Sequence, residues 1–579
     1  MALSLIRATA TLSLLTSSAL AASVVKYNFG LANGNVKPDG VTRNAILVNG
    51  RSPGPLITAN KNDVLEIVVN NHLINSTMHR SATIHWHGLF QTHNAQDDGT
   101  AFVTQCPIPP EASYKYRIPL NGQAGTYWYH SHLAAQYVDG LRGPIVIYPK
   151  DPYRNQYDID DASTVFTIAD WYHKSAQAIE DSHDLKEFTP NSITINGKGR
   201  FDPLHMPASP DTLYTLKVER GKRYRLRLIN ASAIASVMFG VQDHNLTVIE
   251  MDGALTKPMV VDKLEVLAGQ RYSVILHADK APDTYWINAP GTNIQNTTGQ
   301  ALLIYDSIES SNTPKGPYWT SAISEAATKY SNNPHGHSRR YSIDAPGAVP
   351  EPSTGAEPKA MSGSEARSQT VPWTQLERRV DVALVGGIVL DETKLEPLES
   401  PGACGVNEPV FNLTIGYTLN TTTGLWVING NSYKPPNVPT LLQIMSGNTK
   451  FADTENTYTL PKNTCVEIHI LGHTGLQINH PFHLHGHLFD VVQYGNATIN
   501  LTNPPRRDVV GVFDEGVRIR FKTDNPGPWF LHCHIDWHLA EGLAAVMVED
   551  PQDMVKSIKP DPAWEDLCKK YDALPLESQ

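Results

Sequence analysis

Eight histidines stand in pairs with one residue between them: His85 and His87, His130 and His132, His483 and His485, His532 and His534. In a β-strand, residues two apart point to the same face, so each pair projects two imidazoles side by side. Imidazole suits copper, zinc, iron and nickel. The surrounding text, TIHWHGL, GTYWYHSH, HPFHLHGH and WFLHCHIDWHL, is aromatic and apolar. A buried imidazole without a partner is costly, so metal ligation explains eight matched histidines where an ordinary core histidine explains only one. A further pair, His335 and His337, lies in Pro/Ser/Gly-rich text with no strand around it and is given no site.

The last pair encloses Cys533. Alternation turns its thiol to the opposite face from His532 and His534, toward a different metal. His538 follows closely and His480 lies in another strand. Two imidazoles and one thiolate in a trigonal arrangement make a blue copper site. One residue of backbone then connects that copper to a histidine-bound cluster, which is wiring for electron transfer. The axial position of such a site is often Met; here Leu543 offers no lone pair, which raises the potential and favours the reduced metal.

These side chains need strands to hold them. Short Val/Ile/Thr/Tyr runs separated by turns fill three blocks, in a chain of 579 residues with 40 Gly, 41 Pro and 23 Tyr. The first block includes 45–48, 64–69, 83–87, 114–118, 126–130 and 143–148; the second includes 224–229, 247–251, 263–267 and 272–277. The spacing suits Greek-key sandwiches or barrels. The expected layout is a signal peptide over 1–21, a first domain over 22–155, a second over 156–306, a flexible linker over 307–375, and a third domain with a C-terminal tail over 376–579. The paired histidines fall in the first and third blocks only.

A formal charge of −11 makes nucleic acid and anionic membrane poor partners, and no later apolar run is long enough to span a bilayer. The N-terminal segment, with Arg7, an apolar centre and Ala19-Leu20-Ala21, reads as a secretory signal cut after Ala21 or Ala22. Glycosylation sequons at Asn75, Asn230, Asn245, Asn296, Asn412, Asn420, Asn496 and Asn500 agree with a secreted, extracellular protein. Five cysteines fit two disulfides plus a working Cys533.

The four histidine segments resemble the signature regions of the multicopper oxidases, specifically the fungal, basidiomycete-like laccases. The resemblance extends to FVTQCPI, GLRGPIVIYP, PTLLQIMSG and DLCKKYDAL. It implies an all-β fold of three sequential cupredoxin-like Greek-key β-barrel domains. It implies four coppers per chain: type 1 on His480, Cys533 and His538 with Leu543 at the axial place, type 2 on His85 and His483, and a type 3 pair on His87, His130, His132, His485, His532 and His534. His538 is the ligand expected at the floor of the substrate pocket. The implied activity is one-electron oxidation of phenols or aromatic amines coupled to reduction of O2 to water. Asp98 and Asp536 fall at the family's two acid positions near the cluster, where four protons per dioxygen are consumed. Cys106–Cys568 matches a family bridge, which leaves Cys404 and Cys465 for each other.

Two departures bear on the substrate. The family's phenol-side acid position falls on Ile234. In KEFTPNSITIN, Glu187 aligns with a position where iron-oxidising members carry a glutamate that binds Fe(II) and contacts the type 1 histidine. The leading expectation is a secreted, monomeric laccase; the alternative is a ferroxidase-like oxidase acting on Fe(II). From outside the enzymes, a copper-binding electron carrier needs only the Cys533 set, and a copper store would be richer in soft ligands than 10 Met allow.

Overall fold

The computed structural model describes residues 22–182, 184–202, 206, 209, 211–294, 297–306, 387–399, 402, 404–405, 407–472 and 479–575. The signal segment, the linker, residues 376–386, His335, His337 and Asn296 lie outside the described residues.

Three blocks repeat one topology. In each, the first strand runs parallel to a strand that follows it: Val24–Val36 with Val64–His72, Val165–Trp171 with Arg223–Asn230, and Val410–Ile415 with Cys465–Ile470. A second parallel pair closes the opposing sheet of each block: Ile57–Asn60 with Arg142–Tyr148, Tyr214–Val218 with Thr298–Tyr305, and Thr457–Leu460 with Ala544–Glu549. The remaining pairings are antiparallel, as long-range Greek-key connections require. Their inward positions are the Val, Ile, Leu and aromatic residues of the alternating runs, and most are fully buried.

The strands read from sequence recur within a residue or two at each end, for example Ser113–Pro119, Gly125–His130, Arg223–Asn230 and Arg271–His277. Disulfides join Cys106 to Cys568 and Cys404 to Cys465. The first clips the C-terminal helix Pro562–Asp572 to the first block, where Trp564 Nε1 also donates to the Thr104 carbonyl at 3.1 Å.

The described chain from Gly387 runs along the second block. Val389 bridges Lys263, Pro397 bridges Thr256, and Lys257 pairs with Glu396. The exposed backbone of that edge recruits it, and the third block's own first strand begins only at Val410. Asn230 is fully buried, and its amide donates to the Ala235 and Val266 carbonyls, both at 2.8 Å.

Among the described residues, no helix is long and apolar enough to cross a membrane.

Candidate metal centres

Strand His85–His87 pairs antiparallel with Gly125–His130, placing His85 opposite His130. In the third block, His480–Leu484 pairs with Gly527–Cys533, placing His483 opposite His532 and Phe482 opposite Cys533. The two histidine-bearing faces meet. The His85 ring stacks on His485 and the His87 ring on His483, each with centroids 3.9 Å apart. His132 lies 5.1 Å from His532, and His130 lies 5.6 Å from His534. The eight paired histidines therefore form one buried cluster between the first and third domains.

Their second nitrogens fix the rings. Nδ1 of His85, His130, His483 and His532 bonds to the carbonyls of Asp98, Ser131, Asp508 and Cys533 at 2.7–2.9 Å. His485 Nδ1 bonds to Asp98 Oδ2 at 2.9 Å. The N–H donates in each case, which leaves Nε2 bare and facing the cluster. Nε2 of His85, His130, His132 and His483, and both ring nitrogens of His87 and His534, are buried with no hydrogen-bond partner among the described residues. Burial, and then the neighbouring imidazoles, hold His132, His483 and His485 far below the usual histidine range; burial pushes His532 down to about 3. Neutral imidazoles with orphaned inward nitrogens are what metal ligation needs, and a bound cation removes the desolvation cost of all of them at once. The donor set fits copper.

The second centre lies on the other face of the same strand. Cys533 Sγ is 3.6 Å from His480 Nδ1 and 3.7 Å from His538 Nδ1. His538 sits on the short helix Asp536–Ala540, and burial pushes it down to about 3. The Trp426 ring covers both imidazoles, 4.7 Å from His538 and 5.0 Å from His480. Leu543 is stitched between the ligands: its carbonyl accepts from the Cys533 N–H at 3.1 Å, and its N–H donates to the His538 carbonyl at 2.9 Å. The Ile535 N–H points at the sulfur from 3.4 Å, a contact that stabilises thiolate. One thiolate and two imidazoles, closed in by apolar and aromatic side chains, fit a blue copper. His538 itself is fully buried.

The acids behave differently from one another. Asp98 Oδ2 accepts from Thr100 Oγ1 at 2.7 Å as well as from His485, so one carboxylate links the first domain to a histidine of the third. Asp536 is buried beneath the last motif, and burial drives its carboxyl well above the usual range. Ile234 is buried, and its N–H donates to Asp170 Oδ2 at 2.9 Å.

Glu187 lies on the turn Leu185–Phe188, where one carboxylate oxygen is ion-paired with Lys174, thirteen residues upstream, and the other is buried without a hydrogen-bond partner among the described residues. The next side chain, Phe188, turns inward instead and stacks on Trp537 at 5.1 Å. A one-residue step along this 3-10 turn swings the side chain by about 120°, and the lysine pairs with the acid.

Sequence reasoning missed the buried charges that hold the cluster from behind. Asp508 takes two hydrogen bonds from Arg271, at 2.5 and 2.6 Å, and lies 3.4 Å from His87 Nε2. Both partners are fully buried. Gly269, with φ +83°, passes so close that a Cβ there would lie 2.7 Å from the His534 ring. The second domain thus supports a cluster to which it gives no histidine. His487, two residues past His485, is carried away by Gly486 (φ +74°) and pairs with Glu549 at 2.7 Å.

Three family profiles, each described as multicopper oxidase, match residues 31–152, 162–308 and 433–553. The chain belongs to the multicopper oxidase family. It is 56% identical to Laccase-2 of Thanatephorus cucumeris, over 96% of each chain. Among solved structures, the laccase from Botrytis aclada is 30% identical with a TM-score of 0.72, covering 95% of this chain and 92% of that one. Fet3p, a multicopper oxidase that functions in iron import, is 26% identical with a TM-score of 0.73, covering 95% and 96%. This chain is a copper-binding oxidoreductase of the fungal laccase type, built from cupredoxin-like domains. The iron-oxidising alternative is the less supported one.

Proposed function

We propose that the chain is a secreted, monomeric laccase that holds four coppers and oxidises phenols or aromatic amines rather than Fe(II). His480, Cys533 and His538 hold type 1; His85 and His483 hold type 2; His87, His130, His132, His485, His532 and His534 hold the type 3 pair. When bound, the coppers supply one-electron acceptance at Cys533 and four-electron reduction of O2 to water at the cluster.

The observation that carries this reading is the single strand on which Cys533 faces one centre while its two neighbours face the other. Electron transfer between the centres then needs no diffusing carrier. Leu543 withholds an axial donor and keeps the type 1 potential high. Asp98, bonded to His485 and Thr100, keeps Nε2 of that histidine turned inward and stands where protons are consumed. Asp536, hydrogen-bonded through its own N–H to the Ala233 carbonyl at 2.8 Å, is pushed well above the usual carboxylate range by burial, which suits a second proton source.

Ile234 leaves the phenol-side acid position without a carboxylate, and Glu187 is spent on Lys174. Glu187→Ala therefore leaves kinetics with both Fe(II) and a methoxyphenol within about twofold of the parent, since an ion pair near the surface contributes little. Oxygen uptake with the two substrates side by side tests this. A selective loss of Fe(II) turnover in Glu187→Ala would restore the iron reading.

A further inference from the structure

Each dioxygen takes four electrons and four protons to give two waters. The electrons come from four substrate molecules, and the protons must come from solvent through a buried region. A cavity of about 370 Å³ leads to the cluster from the side of helix Ala176–Ser182 and touches His132 and Thr100 at its inner end. Apart from two Glu and a Tyr, the rest of its wall is apolar: Ala, Leu, Phe, Trp and Pro. It has room for several waters, which need polar partners to be held. Thr100 is one, with Oγ1 2.7 Å from Asp98 Oδ2 and 3.2 Å from His485 Nδ1. Tyr433 is another: its hydroxyl is buried in the wall without a protein partner among the described residues.

The carboxylates on that wall are Glu180 and Glu541. Glu180 is the one built into a relay. Helix Ala176–Ser182 buries Ala176 and Ile179, which sets Glu180 one turn beyond Ala176 and toward the cavity. Glu180 Oε1 accepts from the Ala135 N–H at 2.8 Å, and Oε2 lies 2.7 Å from His79 Nε2. Gln136 Nε2 pins the His79 carbonyl at 2.9 Å. The two side chains are 20% and 18% exposed, so both reach solvent, and Glu180 also lines the cavity.

We propose that Glu180, backed by His79, takes protons from solvent and passes them through water in this cavity to Thr100 and Asp98. This rests on the reading of His132 and His485 as ligands of the cluster. The proton moves from His79 to Glu180 to water, and His79 is refilled from bulk solvent, so no charge accumulates along the path. Burial alone raises Glu180, but the His79 contact and charge and the Ala135 N–H lower it below its ordinary value, so Glu180 rests as the acceptor of the pair. Burial alone lowers His79, but the Glu180 contact and the charges of Glu180, Asp139 and Asp181 raise it above its ordinary value. Asp139 is itself paired with Arg43.

The test uses copper-loaded Glu180→Gln, which keeps the Ala135 contact, together with Glu180→Asp. Copper content and the blue absorption are measured first. The reduced enzyme is then mixed with O2, and its reoxidation is followed against pH with a donor that releases no proton. Reoxidation of Glu180→Gln is expected to slow at least about tenfold near pH 7, with a smaller difference at acid pH where bulk hydronium substitutes. Anaerobic reduction of the blue copper should be unchanged, and Glu180→Asp should recover part of the rate.

A second readout needs no copper. A histidine raised on folding stabilises the protein below its unfolded pKa and loses that contribution as pH rises through its folded pKa. The Tm of the copper-free parent should therefore fall more steeply from pH 6 to 8 than that of Glu180→Gln. Unchanged reoxidation at every pH, in a variant with its full copper complement, would overturn the relay. So would slowing by Glu541→Gln and not by Glu180→Gln. A parent chain that binds a single copper would instead overturn the cluster reading beneath it.

Discussion

Asp508→Asn removes one charge from the support behind the cluster while preserving shape. In the parent, Asp508 accepts two hydrogen bonds from Arg271, and both side chains are fully out of solvent. Removing one partner of a buried ion pair costs about 3–5 kcal/mol, because the other charge stays behind. Arg271 is not left bare. Its Nε donates to the Thr126 carbonyl and its Nη1 to the Gly269 carbonyl, each at 3.2 Å, and Asp252 remains 3.7 Å away. The amide oxygen that replaces the carboxylate can also still accept one of the two lost bonds. These place the cost at the lower end, about 3 kcal/mol. At about 2–4 °C per kcal/mol for a domain of this size, Tm falls by about 6–12 °C. His483 keeps its bond to the backbone carbonyl of residue 508, so its ring stays oriented. The assay is thermal unfolding of the copper-free protein by near-ultraviolet circular dichroism, with copper content measured separately on loaded protein. A Tm within about 2 °C of the parent would refute the reasoning, since it would mean the buried guanidinium does not need that charge.

Leu543→Met adds a weak axial thioether, stabilises Cu(II) and lowers the type 1 potential, read by redox titration of the blue absorption; a raised potential would place Leu543 elsewhere. Asp97 is pushed up to about 7 by burial, which outweighs the lowering by its Tyr114 hydrogen bond, and it is protonated in the folded state over a range where the unfolded chain has released its proton. Stability from this group is therefore fully present below about pH 4 and is lost as pH rises toward 7; Asp97→Asn should flatten the Tm profile across that window.

The strands were legible because their apolar residues alternate between turns. That alternation also fixed which side chains share a face, so the eight histidines, Cys533 and their opposed directions could be read before any geometry. The disulfides followed from the family resemblance. What stayed hidden depends on contacts across the fold. Arg271 and Asp508 lie 237 residues apart, and His79 and Glu180 lie 101 apart. Neither has a local pattern, because each is a product of how domains and loops dock. The partner of Glu187 was hidden for a related reason: alignment gives position along the chain but not the lysine that meets the side chain. The burial of Asn230 shows the same limit, since a sequon records sequence and not exposure. Residues 387–398 cross to the second domain by edge pairing, which composition does not reveal.

The central claim is that one strand serves two metal centres, with Cys533 facing one and its neighbours the other. Copper analysis and absorption spectroscopy of Cys533→Ser test it most directly. Loss of the blue absorption and of turnover, with one copper missing and the histidine-bound coppers retained, is the predicted result. A blue, active Cys533→Ser enzyme would contradict the account, as would a variant that lost every copper while remaining folded.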